Sequence, residues 1–276
     1  MSSRRPVKAY KNLEFLNSPD ARPLRILAEY LEPQSRFRLY DVEDTIVFFG
    51  SARVIPGDIA RKEYDYWKQR VNESPTPERE AAFKRAERQL RMSRYYDEAR
   101  ELARLLTEWS LSLNHKHRRF LIVSGGGPGI MEAANRGASD VPGGRSVGLN
   151  ISIPTEQEPN PYITEELNFE FHYFFMRKFW FIYLAKALIV FPGGFGTLDE
   201  LFEVLTLVQT KKLTKPMPIV IYGTEYWNQV LNFQAMVEHL TINPEDLTLF
   251  KFCDTPQEAF EFLKDKLTEY FLTQED

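Results

Sequence analysis

The sequence predicts an α/β protein built on a doubly wound, parallel β-sheet with helices on both faces. Short apolar runs without a polar face alternate with helix-length segments from residue 45 to residue 271. Runs of this kind are typical of strands that lie buried in a parallel sheet. Two of them lead directly into glycine-rich turns, at 124–129 and 192–197. In such sheets the turns after the strands contact ligands, so the pattern indicates a Rossmann-like fold.

The alternation assigns the elements in order along the chain. Residues 56–72 are predicted as a loop with a short helix, and residues 78–114 are predicted to be rich in helix. Strands are predicted at 45–49, 120–123, 146–153, 168–173, 187–191, 218–222 and 249–252. Further helices are predicted over 130–137, 174–184, 198–209, 226–240 and 256–271.

The first strand also indicates how the chain is divided. Residues 1–44 precede it and are predicted as an N-terminal extension that is partly helical, because residues 18–31 carry a helix-start signal. Residues 45–276 are predicted as a single Rossmann-like domain. The charged stretch near 74–95 predicts a helical insertion in this domain, with its charged side chains facing solvent.

Composition excludes several classes of function. Hydrophobic residues make up 43% of the chain and charged residues 27%, as in ordinary globular proteins. The net charge of −4 argues against a dedicated nucleic-acid-binding protein. Cys253 is the single cysteine, which excludes an intrachain disulfide and a cysteine-based metal cluster and is typical of a reducing compartment. No apolar run is long enough for a membrane span, and the N-terminus lacks the apolar core of a signal peptide. We therefore expect a cytoplasmic protein without a metal, a membrane partner or a nucleic-acid partner.

The most informative stretch joins the apolar run 187–191 to the turn P-G-G-F-G-T-L-D-E at 192–200. A buried strand, a glycine turn and a helix start form an anion-binding unit, because the first amide groups of a helix have no intrahelical acceptor. This arrangement indicates a phosphorylated ligand. The predicted phosphate-binding residues of this turn are Gly193, Gly194, Gly196 and Thr197.

Glu200 follows the turn, and its spacing has two interpretations. Thr197 and Glu200 match the capping box S/T-x-x-E, in which the glutamate bonds back to the first residue of the helix. The motif alone leaves this structural role and a functional role equally open. The preceding Pro192-Gly193-Gly194 favours the functional role, because a simple cap needs no close approach of the backbone.

Two cations, Arg177 and Lys178, lie near the start of the apolar helix predicted at 174–184. One alternative is that their stems lie along the rim of a buried helix with the charges in solvent. Cations near a helix N-terminus oppose its dipole, however, and a bound anion removes that penalty. Arg177 and Lys178 are therefore predicted to contact an anion. Met131 and the neighbouring Met176 are candidates for lining a base pocket, and core packing is the favoured alternative for both.

A second glycine turn, at 124–129, follows the strand predicted at 120–123, and Gly125, Gly126 and Gly127 let the backbone approach a ligand closely. The turn departs from the G-x-G-x-x-G fingerprint, which disfavours a nicotinamide cofactor. Gly50 and Ser51 end the first strand and are predicted to present a further ligand-facing loop.

These motifs resemble the Lonely Guy (LOG) family of nucleoside 5′-monophosphate phosphoribohydrolases. The family pattern P-G-G-x-G-T-x-x-E is complete at 192–200, and its R-K pair is complete at 177–178. The turn S-G-G-G-P-G-I-M-E-A-A at 124–134 is similar to the glycine-rich turn of the family. The resemblance covers residues 45–267. Two departures are Glu132, where the family commonly has glycine, and F-F-M before the R-K pair.

The resemblance implies a nucleotide-binding domain that hydrolyses the N-glycosidic bond of a purine nucleoside 5′-monophosphate. It implies an AMP-like substrate with adenine or an N6-modified adenine, as in cytokinin precursors. Arg177 and Glu200 would be the catalytic pair, and the turn at 193–197 would hold the phosphate. Members of the family are usually homodimers with the active site near the interface, and no cofactor is implied. A pyridoxal-dependent decarboxylase is disfavoured, because no Schiff-base lysine with partners for the cofactor stands out.

Two further functions stay open from the sequence alone. The same glycine turns would serve a carrier that binds a nucleotide or a molybdenum cofactor without hydrolysing it. A structural or protein-interaction role is indicated only for the charged N-terminal extension, residues 1–44.

Overall fold

The computed structural model describes residues 6–113, 117–154 and 158–273, and seven parallel strands form one sheet at its centre. The inner strands are almost wholly buried, which explains why their sequences have no polar face. The predicted doubly wound parallel sheet is confirmed. The strands are β1 (Thr45–Phe49), β2 (Leu121–Ser124), β3 (Ser146–Ile151), β4 (Asn168–Phe171), β5 (Ala185–Val190), β6 (Ile219–Tyr222) and β7 (Lys251–Cys253).

Helices cover both faces of this sheet. One hydrophobic core lies between the sheet and α4, α5 and α10, and the other lies between the opposite face and α2, α6 and α7. No helix in the described ranges is long and apolar enough to cross a lipid bilayer. The helices are α1 (Leu13–Asn17), α2 (Arg22–Leu39), α3 (Gly57–Glu73), α4 (Pro77–Ser112), α5 (Ile130–Ser139), α6 (Phe174–Tyr183), α7 (Phe195–Gln209), α8 (Thr224–Val230), α9 (Phe233–Glu238) and α10 (Pro256–Phe271).

The strand order places a ligand crevice beside β1. Across the sheet the strands lie in the order β4-β3-β2-β1-β5-β6-β7, so the chain adds strands in one direction up to β4 and then returns to the other side of β1. The connections after β1 and β5 consequently leave toward opposite faces. Such a switch point opens a crevice at the carboxyl ends of the two strands. The loops that follow β1, β2 and β5 are those with the glycine motifs.

Several elements differ in extent from the prediction. The segment expected to be a loop with a short helix forms the 17-residue α3, and the predicted insertion is the first half of the 36-residue α4. Thr76 starts α4, since its Oγ1 accepts a hydrogen bond from the Arg79 amide at 3.3 Å. The rings of Tyr64 and Phe83 pack 5.3 Å apart between α3 and α4. The helix predicted at 226–240 is divided into α8 and α9.

The N-terminal stretch contributes α2 to the same hydrophobic core as the sheet. Phe37 of α2 is buried, and its ring lies 5.4 Å from that of Trp180 in α6. The Trp180 Nε1 donates to the carbonyl of Glu29 at 2.9 Å, and Arg36 donates to the carbonyl of Asn168 at 2.8 Å. These contacts attach α2 to α6 and β4. The boundary at residue 44 stays a prediction.

Candidate functional site

A cleft of about 690 Å³ opens at the carboxyl edge of the sheet, where the loops after β1, β2 and β5 meet. Gly126, Lys178 and Met176 lie outside its lining. The residues predicted from the sequence that do line it are Gly50, Ser51, Gly125, Gly127, Arg177, Gly193, Gly194, Gly196, Thr197 and Glu200.

Backbone hydrogen bonds of Ser51 join the two glycine turns. The Ser51 amide donates to the carbonyl of Pro192 at 3.0 Å, and the Ser51 carbonyl accepts from the amide of Ile130 at 3.1 Å. The approach is close, because a Cβ at Gly50 would lie 2.7 Å from the Ile130 side chain. The first loop therefore fixes the distance between the other two.

A buried polar network supports the turn after β2. The Nδ2 of Asn160 lies 3.0 Å from the Gly126 carbonyl oxygen and 3.1 Å from that of Gly127. The Gly126 amide donates to Oγ of Ser124 at 3.0 Å, and that hydroxyl donates to Asn135. The predicted phosphate contact of Gly126 is therefore not supported, since its N–H already has an internal acceptor. Its left-handed φ of +76° shapes the turn instead.

The turn after β5 begins α7 earlier than the sequence predicted. Gly194 is the N-cap, and Phe195 is the first helical residue. Thr197 thus lies inside the first turn, and Glu200 lies beyond the position that a capping-box glutamate occupies. The capping-box interpretation of Glu200 is wrong. Because the first helical amides have no intrahelical acceptor, residues 195–197 offer hydrogen-bond donors at the cleft.

Gly193, Gly194 and Gly196 differ in what surrounds them. A Cβ at Gly193 would collide with Oγ1 of Thr197, so this glycine lets the turn fold against its own helix. No atom lies within 4 Å of the Cβ position at Gly194 or Gly196, which leaves these residues open to a ligand. The hydroxyl of Tyr226 donates to the Gly193 carbonyl at 2.8 Å and anchors the turn to α8.

Glu200 is a buried carboxylate at the cleft. It is 6% exposed, and its Oε2 has no hydrogen-bond partner among the described residues. The nearest cation is Lys178, whose Nζ lies 3.7 Å from Oε2. Burial raises the pKa of Glu200 to about 7, although Lys178 and Arg177 act in the opposite direction. A carboxyl group of this kind can accept or release a proton near neutral pH.

Lys178 faces carboxylates rather than the cleft. Its Nζ lies 2.7 Å from Glu203 and 2.8 Å from Asp199, in addition to Glu200. Although burial alone lowers the pKa of Lys178, the hydrogen bonds to Asp199 and Glu203 raise it above its ordinary value. The predicted phosphate contact of Lys178 is therefore not supported by the geometry. Its charge acts on Glu200 instead.

Arg177 is held by backbone carbonyl groups. Its Nε donates to the carbonyl of Leu149 at 2.7 Å, and its Nη2 lies 3.4 Å from that of Gly125. A Cβ at Gly125 would lie 2.5 Å from the same Nη2, so glycine is required for this approach. Burial lowers the pKa of Arg177. Within the described ranges no carboxylate lies at ion-pair distance, which leaves its charge available to a ligand.

Met176 lies on the other side of α6. It is buried in the hydrophobic core and lines a groove beside α2 with Ile26 and Tyr30. The prediction that it lines a base pocket is therefore not supported, because the helix turns its side chain away from the cleft. Met131 of α5 lines the cleft instead.

The cleft also contains residues that the sequence did not single out. Arg53 lines the cleft beside Gly50 and Ser51. Its positive charge, close in sequence to a predicted ligand-facing loop, could have identified it as a cleft residue. Met92 and Tyr226 come from α4 and α8, and no local pattern marks them as cleft residues. Across the described ranges, no group of three or more His, Cys, Asp or Glu side chains is arranged to hold a metal ion.

Glu132 occupies a position at which the LOG family commonly has glycine, and its side chain points toward α4. Its Oε1 accepts a hydrogen bond from the hydroxyl of Tyr96 at 2.5 Å. It does not line the cleft, whereas the preceding Met131 does. The long α4 thus provides a partner for this carboxylate.

Comparisons with known proteins agree with these motifs. Residues 131–263 match the family model described as possible lysine decarboxylase. The chain is 31% identical over 180 residues to a probable cytokinin riboside 5′-monophosphate phosphoribohydrolase of Oryza sativa subsp. japonica, covering 64% of this chain and 77% of that protein. It is 33% identical over 128 residues to a cytokinin riboside 5′-monophosphate phosphoribohydrolase of Arabidopsis thaliana, covering 46% of this chain and 54% of the relative.

Two further similarities were found. A pyrimidine/purine nucleotide 5′-monophosphate nucleosidase of Escherichia coli K12 is 31% identical over 117 residues, covering 38% of this chain and 25% of the relative. The structure of a molybdenum cofactor binding protein from Rippkaea orientalis matches with a TM-score of 0.46 and 15% identity, over 81% of this chain and 98% of that one. The match to the rice protein, at 31% identity, spans 77% of that relative's length. The chain therefore belongs to the LOG family.

Proposed function

We propose that this protein hydrolyses the N-glycosidic bond of a purine nucleoside 5′-monophosphate, whose base is adenine or an N6-modified adenine. The products are the free base and ribose 5-phosphate. The observation that carries the proposal is the buried carboxylate of Glu200, whose Oε2 accepts no hydrogen bond among the described residues, in a cleft that also contains Arg177 and the start of α7. The names of the rice, Arabidopsis and E. coli relatives support a nucleoside 5′-monophosphate as the substrate.

The start of α7 suits the phosphate of such a substrate. Its first amides lack acceptors, and Gly194 and Gly196 leave room for the phosphate oxygens. Hydrogen bonds from amide groups to a charged phosphate are each worth about 1.5–3 kcal/mol. Arg53 lies exposed at the same cleft and supplies a positive charge. This end of the cleft holds the substrate in place while the bond to the base is broken.

Glu200 suits the chemical step. Breaking the bond between C1′ and the base nitrogen leaves an oxocarbenium-like ribose, which a nearby carboxylate stabilises. Water then adds to C1′, and Glu200 accepts the proton that this water loses. With a pKa of about 7, Glu200 is partly ionised at neutral pH and can serve both purposes.

Arg177 suits the departure of the base. Its guanidinium is fixed by the carbonyls of Leu149 and Gly125, so it keeps one position when the ligand enters. A hydrogen bond from the guanidinium stabilises the negative charge that develops on the leaving base. The base takes up one proton from solvent as it leaves, and Glu200 returns to solvent the proton that it accepted from the attacking water, so one water is consumed and no net proton. The apolar side chains in the lining, which suit a purine ring, include Met92, Met131, Ile151, Phe174 and Val230.

A panel of nucleoside 5′-monophosphates tests this proposal. Purified protein is incubated with AMP, GMP, IMP, CMP, UMP and an N6-isopentenyl-AMP, and the released base is measured by chromatography. We expect release from AMP or its N6-modified form, and a loss of about 10²–10⁴-fold in kcat for Glu200→Gln. Glu166→Gln serves as the control, because Glu166 is a surface residue paired with Arg145. Absence of free base with every nucleotide, or an unchanged rate in Glu200→Gln, would show that the proposal is wrong.

The carrier function is the alternative, because the same amide groups would hold a nucleotide without hydrolysing it. Calorimetry with AMP, followed by chromatography of the bound ligand after several hours, separates the two functions. Intact AMP that stays tightly bound to the wild-type protein would favour the carrier.

A further inference from the structure

We propose that a second cavity, lined by arginines of α4, extends the nucleotide cleft and binds the terminal phosphate of a nucleoside 5′-diphosphate. This cavity has a volume of about 320 Å³ and lies between α4 and α8. The inference rests on the proposed function for the position of the first phosphate. Its lining consists of Arg88, Arg91, Met92, Arg94, Tyr95, Glu225, Tyr226 and Gln229.

The cavity adjoins the nucleotide cleft. Met92 of α4 and Tyr226 of α8 line both spaces. The hydroxyl of Tyr226 donates to the carbonyl of Gly193 in the phosphate turn. The cavity is therefore adjacent to the phosphate-binding end of the cleft. A second phosphate joined to the first would therefore lie on the side of the cleft that adjoins the cavity.

The charges in the cavity suit an anion. Three arginines face one carboxylate, that of Glu225, which lies 3.5 Å from Arg94. Arg94 also donates to the hydroxyl of Tyr95 at 2.8 Å. Arg88 and Arg91 are exposed, and among the described residues neither has an ion pair within 4.0 Å.

The three arginines are evenly spaced along α4. Positions 88, 91 and 94 lie three residues apart, so their charges are neighbours on the helix surface. Like charges at this spacing repel and weaken the helix, and a bound phosphate reverses that effect. Tyr95 and Tyr226 also line the cavity, and neither is exposed. The arginines therefore lie beside a wall of aromatic side chains and do not form a flat face surrounded by solvent.

Calorimetric titration with AMP and ADP tests the subsite. The full chain with Glu200→Gln is used, so that hydrolysis does not alter the ligand during the measurement. We expect ADP to bind about 10-fold more tightly than AMP, as hydrogen bonds to a charged phosphate imply. In Arg88→Gln/Arg91→Gln the ratio of the two dissociation constants should fall to about one. Salt should reduce the ratio as well, because the arginines are exposed.

Arg85→Gln is the matched control, since Arg85 is an exposed arginine of the same helix that does not line the cavity. It should keep the preference for ADP. Equal affinities for AMP and ADP, or a preference that survives in Arg88→Gln/Arg91→Gln, would contradict the subsite. A further titration measures the binding of AMP in the presence of inorganic phosphate. If added phosphate lowered the dissociation constant of AMP to that of ADP, the cavity would be a site for free phosphate instead. The ratio of the AMP and ADP dissociation constants does not depend on turnover. The nucleotide panel tests hydrolysis independently, so the two proposals can fail separately.

Discussion

The protonation of Glu200 depends on a balance between burial and the charge of Lys178. Burial disfavours the carboxylate form, and the ammonium group 3.7 Å away partly restores it. Asp199 and Glu203 hold Lys178 in this position through contacts of 2.8 and 2.7 Å. Lys178 is therefore a positioning residue in the proposed mechanism.

We expect Lys178→Met to move the activity profile toward higher pH. Removal of the positive charge disfavours the ionised form of Glu200 and so raises its pKa further, by about one unit. Activity at pH 6.5 should fall and should recover above pH 8. The measurement is kcat/KM against pH, with Lys212→Met as an exposed control. A profile identical to that of the wild type would show that Lys178 does not act on Glu200.

Glu200 also links stability to pH. Its pKa is raised from 4.5 to about 7 in the folded protein, so the folded state binds a proton that the unfolded state releases in this range. The stabilising contribution is present below pH 4.5 and is lost as the pH rises through about 7. At pH 8 we expect Glu200→Gln to raise the free energy of unfolding by about 1–3 kcal/mol, because an ionised buried carboxyl group is removed.

Urea unfolding at pH 5 and pH 8 measures this effect. The difference between Glu200→Gln and the wild type should appear at pH 8 and should be small at pH 5. A similar difference at both values would indicate that packing, and not ionisation, determines it.

At the scale of elements, the turn after β2 depends on a residue that lies far along the chain. Asn160 satisfies the carbonyl groups of Gly126 and Gly127 and contacts Oδ1 of Asn135 at 2.9 Å. All of these groups are buried. Unsatisfied polar groups are costly when they are buried, so the shape of this turn depends on Asn160.

We expect Asn160→Ala to destabilise the protein by about 1–3 kcal/mol, since it removes the side-chain donor to the buried Gly127 carbonyl, whereas the Gly126 carbonyl keeps the main-chain amide of residue 160 at 2.8 Å. It should also raise KM for the nucleotide, because Gly125 and Gly127 line the cleft. Thermal unfolding and steady-state kinetics measure the two effects. Asn17→Ala, at an exposed position, serves as the control. An unchanged melting temperature would exclude this role of Asn160.

The start of α6 shows how packing offsets an unfavourable local charge. Arg177 and Lys178 oppose the helix dipole, but the carboxylate of Glu29 accepts hydrogen bonds from the amides of His172 at 2.8 Å and Tyr173 at 3.2 Å. Glu29 belongs to α2. The N-terminal stretch therefore stabilises the helix that presents Arg177 to the cleft.

At the scale of the whole molecule, α6 exposes a row of aromatic side chains. Phe175, Phe179 and Tyr183 lie four residues apart and are all exposed, which places them on one face of the helix. Phe195, at the mouth of the cleft, is 91% exposed. Contiguous exposed apolar surface of this kind is typical of protein–protein interfaces. We propose that two copies of the chain associate through this face.

Light scattering tests the association. The mass should be twice the 32.3 kDa of one chain, and Phe175→Glu/Phe179→Glu should give the mass of one chain. Leu240→Glu is the control, because Leu240 is a highly exposed apolar residue of another segment. A wild-type protein that has the mass of a single chain would contradict the proposal.

Local patterns in the sequence determined much of this protein. Apolar runs without a polar face predicted the strands, since both faces of a parallel sheet are buried. Glycine turns after two of these strands predicted the cleft, and Arg177 and Glu200 both line it. These predictions hold because periodicity and backbone freedom are properties of neighbouring residues.

Only the tertiary structure decided the surroundings of each charge. The spacing of Thr197 and Glu200 suggested a capping box, but α7 begins at Phe195 and the Glu200 Oε2 accepts no hydrogen bond among the described residues. Lys178 and Arg177 are adjacent in sequence, yet one pairs with carboxylates and the other with backbone carbonyls. Burial, ion pairing and pKa depend on residues that are distant in sequence, and folding alone brings them together.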